Sequence, residues 1–155
     1  MIAVIQRVSK AVVSVDGKTV GSCNKGLCVL LGVSEEDSQK DAEVLANKVI
    51  NLRIFSDEND RMNLSLKDID GEMLLVSNFT LLASYRKGNR PDYMKAAAPQ
   101  MAEELYKYFG ELCQREVKNI GYGIFGAHME LSITNDGPVT IVMDSKVLLA
   151  SKKSS

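Results

Sequence analysis

Two short segments collect hydroxyl, amide and backbone groups where chemistry could take place. Ser77-Asn78-Phe79-Thr80-Leu81 follows the apolar stretch Met73–Val76, so two hydroxyls, an amide and several N–H groups gather where a strand ends or kinks. Asn135-Asp136-Gly137-Pro138-Val139-Thr140 lies between two strand-like stretches and has the composition of a turn. Turn chemistry alone predicts no more than a hairpin connection there.

The other motifs with possible chemistry are weakened by their surroundings. Gly121-Tyr122-Gly123-Ile124-Phe125-Gly126 matches a dinucleotide fingerprint, but residues 127–134 alternate like a strand where that fingerprint needs a helix. Asp57 through Met62 begins like a calcium loop, yet Met62 occupies the place of the required glycine. His128, the only histidine, lies with Glu130 on the polar face of its predicted strand and is therefore expected at the surface or at the rim of a site, and a Ser-His-Asp triad is possible only in principle.

Charge restricts the possible partners. The 19 basic and 20 acidic residues of this 155-residue chain nearly cancel, so no overall positive field draws it to nucleic acid, and any RNA contact must be local. Arg86, Lys87 and Arg90 form one short basic loop that could touch phosphates or simply be solvated. Charge alone does not decide between these readings.

The cysteines and the hydropathy indicate a compartment. Cys23, Cys28 and Cys113 form no C-x-x-C pair and are expected as reduced, buried thiols. The N-terminus lacks a secretory signal pattern, and no apolar run approaches the ~20 residues of a membrane span. We therefore expect a cytoplasmic protein.

The elements that must position the two segments follow from hydrophobic periodicity. Alternating or continuous apolar runs predict strands over residues 2–8, 10–15, 18–20, 27–33, 53–55, 73–76, 128–134 and 139–143, with a hairpin turn at Asp16-Gly17. The continuous apolar run over residues 27–33 is typical of a strand that is buried on both faces. Apolar residues three and four apart predict one helix after Ser38 and another that has Pro99 in its first turn. The pattern predicts a single sheet-rich α/β domain over residues 1–150 with two principal helices, then a polar tail over residues 151–155.

The two segments resemble the signature motifs S-Q-F-T-L and N-x-G-P-x-T of the D-aminoacyl-tRNA deacylases. The resemblance continues through nearly the whole chain, in Ala3–Val8, Gly26–Val33, Asn51–Phe55, Lys87–Pro91 and Phe125–Ala127. The chain departs from the family at Asn78, where the family usually has Gln. The resemblance implies a mixed or antiparallel barrel-like sheet for this deacylase domain and a homodimer in which Gly137-Pro138 enters the partner's pocket.

The activity that the resemblance implies is proofreading in translation. The substrate would be the ester joining a D-amino acid, or glycine, to the 3′-terminal ribose of tRNA, while L-aminoacyl-tRNA would be rejected. No cofactor, metal, membrane or DNA is expected. A non-catalytic tRNA-binding module on the same fold remains an alternative, and a dinucleotide-dependent enzyme built on residues 121–126 is a weaker one.

Site residues follow from the same resemblance, motif by motif. Ser77, Asn78, Phe79 and Thr80 would form the catalytic segment; we favour backbone N–H groups near Phe79 and Thr80 as oxyanion donors, assisted by the 2′-hydroxyl of the terminal adenosine, over Thr80 as a nucleophile. In the family the Gly-Pro bond is cis, and the carbonyls of Gly137 and Pro138 would exclude an L side chain. The remaining expected residues are Arg7, which braces this motif, Asn135 and Thr140 within it, Phe125, Ala127 and Met129 in the pocket, and Arg86, Lys87 and Arg90 on tRNA. Met129 is equally expected in the core.

Overall fold

The order of strands and helices largely follows the hydrophobic pattern. The computed structural model describes residues 1–150, and the tail predicted over residues 151–155 lies outside the described residues. The strands are β1 (Ile2–Val15), β2 (Lys18–Cys23), β3 (Gly26–Gly32), β4 (Phe55–Ser56), β5 (Met62–Leu64), β6 (Glu72–Ser77), β7 (Ile120–Tyr122) and β8 (Glu130–Asp144). The helices are α1 (Gln39–Asn51), α2 (Pro99–Gln114) and the short α3 (Ser145–Leu149), with a 3₁₀ helix at Phe79–Leu82.

The sheet is mixed and nearly closed. Its strand order is β2-β1-β3-β6-β7, and β8 pairs with β1. The pairs that β1 makes are antiparallel, whereas β3 with β6 and β6 with β7 are parallel. At the closing seam, a Cβ built on Gly121 would lie 2.5 Å from the carbonyl oxygen of Ser22, so a glycine is needed for this approach of β7 to β2. The barrel-like sheet is confirmed, and the glycines of residues 121–126 lie in strand and loop.

Both faces of the sheet are buried. The helices α1 and α2 cover one face, where Leu45 and Phe109 pack with Ile5, Val29 and Leu75. The other face forms a second cluster of Val8, Ala11, Val13, Cys23, Cys28, Leu74 and Val76. The predicted burial of β3 on both faces is therefore confirmed, because successive residues of the strand enter different clusters.

The thiols behave as small apolar side chains. Cys23, Cys28 and Cys113 are free and buried. Burial raises the pKa of Cys28 and of Cys113 to about 12 and that of Cys23 to about 11, so all three thiols stay protonated at neutral pH.

Two strand predictions are wrong in ways that matter for the site. The strands expected over residues 128–134 and 139–143 belong to one strand, β8, and residues 135–138 are not a hairpin. The chain keeps its direction there because both halves of β8 pair with β1, from Ile2 opposite Asp144 to Ser14 opposite Glu130.

The strand expected over residues 53–55 begins only at Phe55, since the N–H groups of Leu52 and Ile54 still bond within the exit turn of α1.

A charged cluster joins the beginnings of β1, α1 and α3. The α-ammonium of Met1 lies 2.7 Å from Asp37 Oδ1 and 2.9 Å from Ser145 Oγ, which in turn donates to Asp41 Oδ1 at 2.7 Å. The Met1 and Asp37 side chains are fully buried. Burial disfavours the charged form of Asp41, but hydrogen bonds from Ser145 and Ser38 and the nearby ammonium outweigh it and lower the pKa. The stability that Asp41 contributes is therefore present above the ordinary carboxyl pKa and lost as pH falls through the lower folded value.

Within residues 1–150, none of the helices combines the length and the apolar composition that crossing a membrane requires.

We predict that Asp37→Asn lowers the free energy of unfolding by about 3 kcal/mol, because it leaves the buried ammonium of Met1 without its counter-charge. Urea unfolding at pH 7 measures the change. Glu36→Gln is the matched control, since Glu36 pairs with Lys146 at 2.6 Å in solvent and its loss should leave the curve almost unchanged. Equal midpoints for the two variants would contradict the prediction.

Candidate active site

The end of β6 turns directly into a short 3₁₀ helix. The Asn78 N–H donates to the Leu31 carbonyl at 2.8 Å, which holds the turn against β3. The Leu81 N–H donates to the Asn78 carbonyl, so the N–H groups of Phe79 and Thr80 are the ones that helix geometry leaves without a partner inside the helix. Ser77 through Thr80 thus lie at a strand end, as the sequence predicts.

A cavity of about 880 Å³ opens beside this turn. Small-molecule sites usually have volumes of roughly 300–1,000 Å³, so the cavity is large enough for a nucleoside with an attached group. Seven predicted site residues line it: Ser77, Asn78, Phe79, Thr80, Phe125, Ala127 and Met129. His128 also lines it and is exposed, in agreement with its predicted position at a rim.

The Asn78 side chain accepts a hydrogen bond from the Thr80 hydroxyl, with 2.5 Å between Oδ1 and Oγ1. A carboxamide oxygen accepts hydrogen bonds but is far too weak a base to remove a hydroxyl proton. The shorter amide at position 78 therefore has a definite partner, and this partner does not activate Thr80 as a nucleophile.

Aromatic rings form one wall and the mouth of the cavity. Phe79 and Tyr93 meet edge to face with 5.1 Å between ring centroids, and both are substantially exposed. Tyr106 is buried behind Phe125, and its hydroxyl donates to the Leu75 carbonyl at 2.8 Å. Burial raises the pKa of Tyr106 far above its ordinary value, so this hydroxyl is a fixed donor.

Sequence reasoning did not identify Tyr93, which lies in a loop without periodicity, or Tyr106, whose spacing in α2 indicates only the apolar face of a helix. The segment at residues 96–99, which also lines the cavity, was missed too.

Met129 has both of the roles that the sequence left open. Its side chain is half-buried and packs against the Val8 cluster, and it also lines the cavity. A Cβ on Gly123 would lie 2.7 Å from Met129 Sδ, so the glycine makes room for this side chain.

Residues 135–140 form a bulge in β8 that is held by hydrogen bonds of the Asn135 side chain. Asn135 Oδ1 accepts from the Val139 N–H at 3.0 Å, and Asn135 Nδ2 donates to Thr140 Oγ1 at 3.0 Å. The Gly137-Pro138 peptide bond is cis, as the resemblance implies, and both residues are exposed. Asn135 and Thr140 therefore hold the shape of the bulge that presents Gly137-Pro138.

Arg7 fastens this bulge to the rest of the fold. Its Nε donates to the Asp136 carbonyl at 3.0 Å, and Nη1 donates to the Ile54 carbonyl at 2.7 Å. The Asp136 carboxylate adds an ion pair at 3.4 Å.

The described chain does not bring all predicted site residues together. Arg7, Asn135, Gly137, Pro138 and Thr140 do not line the cavity beside Thr80. Arg7 and Asp136 border a separate polar pocket of about 240 Å³ instead.

The basic loop is also outside the cavity wall, with Arg86, Lys87 and Arg90 exposed. In the turn that begins like a calcium loop, Asp57 Oδ1 already accepts hydrogen bonds from the N–H groups of Asn59 and Arg61. No group of three or more His, Cys, Asp or Glu residues between residues 1 and 150 is arranged to hold a metal ion.

Comparison with known proteins fits this arrangement. A model of the family described as D-Tyr-tRNA(Tyr) deacylase matches residues 4–144. This chain belongs to that family. A D-aminoacyl-tRNA deacylase of Caldicellulosiruptor saccharolyticus is 57% identical over 146 residues, which cover 94% of this chain and 98% of the relative. One from Dehalococcoides mccartyi is 58% identical, with 94% and 95% covered.

Solved structures share the deacylase-family fold. A protein described as c-Myc DNA Unwinding Element Binding Protein superposes with a TM-score of 0.88 at 43% identity, covering 93% of this chain and 98% of its own. A probable eukaryotic D-amino acid tRNA deacylase gives a TM-score of 0.80 at 16% identity, with 92% and 98% covered, which establishes likeness of fold alone.

We predict that Arg7→Ala lowers the free energy of unfolding by about 2 kcal/mol, since charged donors to two carbonyls are lost. Amide hydrogen exchange should accelerate at residues 136–139 in the variant. Arg53→Ala is the control, because exposed Arg53 makes one hydrogen bond, to the Asn63 carbonyl. Unchanged exchange in Arg7→Ala would show that the bulge holds its shape without the guanidinium.

Proposed function

We propose that this chain hydrolyses the ester bond of D-aminoacyl-tRNA, and of glycyl-tRNA, to free tRNA and amino acid, and that it leaves L-aminoacyl-tRNA intact. The observation that carries the proposal is the cavity in which the strand-end segment Ser77–Thr80 faces Phe125, Ala127 and Met129. The relatives from C. saccharolyticus and D. mccartyi are named as D-aminoacyl-tRNA deacylases, which supports the proposal. An enzyme that proofreads charged tRNA would act in the cytoplasm.

The cavity favours catalysis by main-chain donors. An aminoacyl ester is already activated, so the protein needs chiefly to position it and to stabilise the oxyanion of the tetrahedral intermediate. The N–H groups of Phe79 and Thr80 supply donors without a partner inside the 3₁₀ helix. The 2′-hydroxyl of the terminal adenosine assists the attack of water, and the Thr80 hydroxyl keeps its proton and donates it in a hydrogen bond to Asn78 Oδ1.

The chirality of the substrate is read by exclusion. The carbonyls of Gly137 and Pro138 would meet the side chain of an L-aminoacyl group, whereas a D side chain points away and glycine has none. Gly137 and Pro138 are exposed and do not line the cavity of their own chain. A homodimer resolves this separation, because the bulge of one protomer then enters the cavity of the other.

The basic loop contacts phosphates of the tRNA. Arg86, Lys87 and Arg90 are exposed, and none of them forms an ion pair with another residue of the described range 1–150. Phosphates of tRNA are suitable partners for these charges.

The enantiomer assay tests the proposed function. With D-tyrosyl-tRNA and L-tyrosyl-tRNA at equal concentration, we expect the protein to release tyrosine from the D substrate at least 100-fold faster. This ratio corresponds to a steric clash that costs the L substrate about 3 kcal/mol. Comparable rates for both substrates would contradict the proposed exclusion of an L side chain by the carbonyls of Gly137 and Pro138. Tight binding of tRNA without hydrolysis of either would identify a non-catalytic tRNA-binding module instead.

Thr80→Ala tests the role of main-chain donors. Since the backbone N–H survives this substitution, single-turnover hydrolysis of D-tyrosyl-tRNA should fall less than about tenfold. Thr134→Ala, which removes an exposed hydroxyl on β8 away from the cavity, controls for general effects. Loss of all hydrolysis in Thr80→Ala, with folding and tRNA binding retained, would make the Thr80 hydroxyl a nucleophile.

A further inference from the structure

An exposed loop beside the cavity combines aromatic and basic side chains. Every residue from Tyr85 to Lys95 is exposed. Tyr85 and Met94 are 85% and 80% exposed, the highest values among the large hydrophobic residues of the described chain. Tyr85 and Met94 therefore leave most of their apolar surface available for contact with a partner.

The loop is held firmly at its base. The backbone groups of Ser84 and Asp92 bond to each other twice, at 2.8 and 2.9 Å. Beyond it, the Lys95 carbonyl accepts from the Glu35 N–H, and the Ala97 N–H donates to the Val33 carbonyl, both at 2.9 Å. The loop therefore projects from a fixed position on the molecule.

The loop is continuous with the mouth of the cavity. Tyr93, which belongs to it, touches the Phe79 ring and lines the cavity. A chain whose terminal residue occupies the cavity must leave it past this mouth.

The charge of the loop selects an anionic chain. The segment contains one acidic residue, Asp92, and four basic residues, Arg86, Lys87, Arg90 and Lys95, although the whole protein has a net charge of −1. Aromatic surfaces interleaved with cations are the usual arrangement for binding single-stranded nucleic acid, in which bases stack on rings and phosphates meet basic groups.

We propose that the loop Tyr85–Lys95 binds the single-stranded nucleotides that immediately precede the terminal adenosine of tRNA. Tyr85 and Met94 supply the surface on which these bases stack, and Arg86 and Lys87 neutralise their phosphates. The inference rests on the proposed function and adds to it the recognition of nucleotides next to the cavity.

A series of substrates of increasing length tests the inference. The three substrates are 3′-O-D-tyrosyl-adenosine, the D-tyrosyl ester of a CCA trinucleotide, and D-tyrosyl-tRNA. For the unmodified protein, kcat/KM should rise from the first substrate to the second. Tyr85→Ala should remove most of this rise, roughly tenfold for the loss of one stacked base, and affect 3′-O-D-tyrosyl-adenosine less than twofold. Tyr85→Phe keeps the ring and should retain the rise.

The charges of the loop have a separate readout. For D-tyrosyl-tRNA, log kcat/KM should fall as log salt rises. The double variant Arg86→Ala with Lys87→Ala should make this negative slope less steep by about two, one for each lost phosphate contact. Met62→Ala removes an exposed apolar side chain of β5, outside the loop and the cavity, and should change none of these values.

The outcomes separate this inference from the proposed function. If the unmodified protein hydrolyses D-tyrosyl-tRNA while Tyr85→Ala lowers kcat/KM equally for all substrates or for none, the loop does not bind the nucleotides and the deacylase activity stands. If the unmodified protein hydrolyses none of the three substrates, the proposed function fails and the inference fails with it.

Discussion

The pairing of β8 with β1 is the constraint on which the site region depends. Gln6 lies opposite Thr140, and Val8 lies opposite Asn135, so residues 136–139 of β8 face Arg7 alone. The extra residues of β8 have to leave the plane of the sheet, because the pairing register with β1 is fixed on both sides of them. Arg7 lies opposite the extruded segment and bonds to its Asp136 carbonyl, and the hydrogen bond between Asn135 and Thr140 joins the two ends of the segment.

The same sheet explains why the cavity lies where it does. The parallel pair β3 and β6 is covered by helices on one face and by the Val8 cluster on the other, so polar groups can emerge only at the strand ends. Ser77 ends β6, and the 3₁₀ helix that follows is the first backbone with N–H groups outside the ladder. The segment Ser77–Thr80 therefore lies where strand pairing ends and unpaired backbone N–H groups begin.

Local periodicity predicted most elements, because each is either alternating or amphipathic over its own length. The burial of β3 and the limits of α2 near Pro99 could be predicted from single windows of sequence. The continuity of β8 could not, because Asn-Asp-Gly-Pro has the composition of a hairpin and only the partner strand β1 keeps the chain straight. The cluster of Met1, Asp37 and Ser145 could not be predicted from the sequence either, because it joins residues that are more than 100 positions apart. Within the site, motif resemblance predicted seven of the residues that line the cavity, whereas it did not predict Tyr93, which belongs to a loop whose position depends on two hydrogen bonds to Ser84.

The burial of all three cysteines has a consequence for the conditions under which the protein works. Each sulfur is shielded from solvent and stays in its neutral form, so neither alkylating reagents nor peroxide find a thiolate to attack. None of the cavity-lining residues is a cysteine either. Reagents that inactivate hydrolases by modifying a thiolate would therefore find no such target in the cavity of this protein.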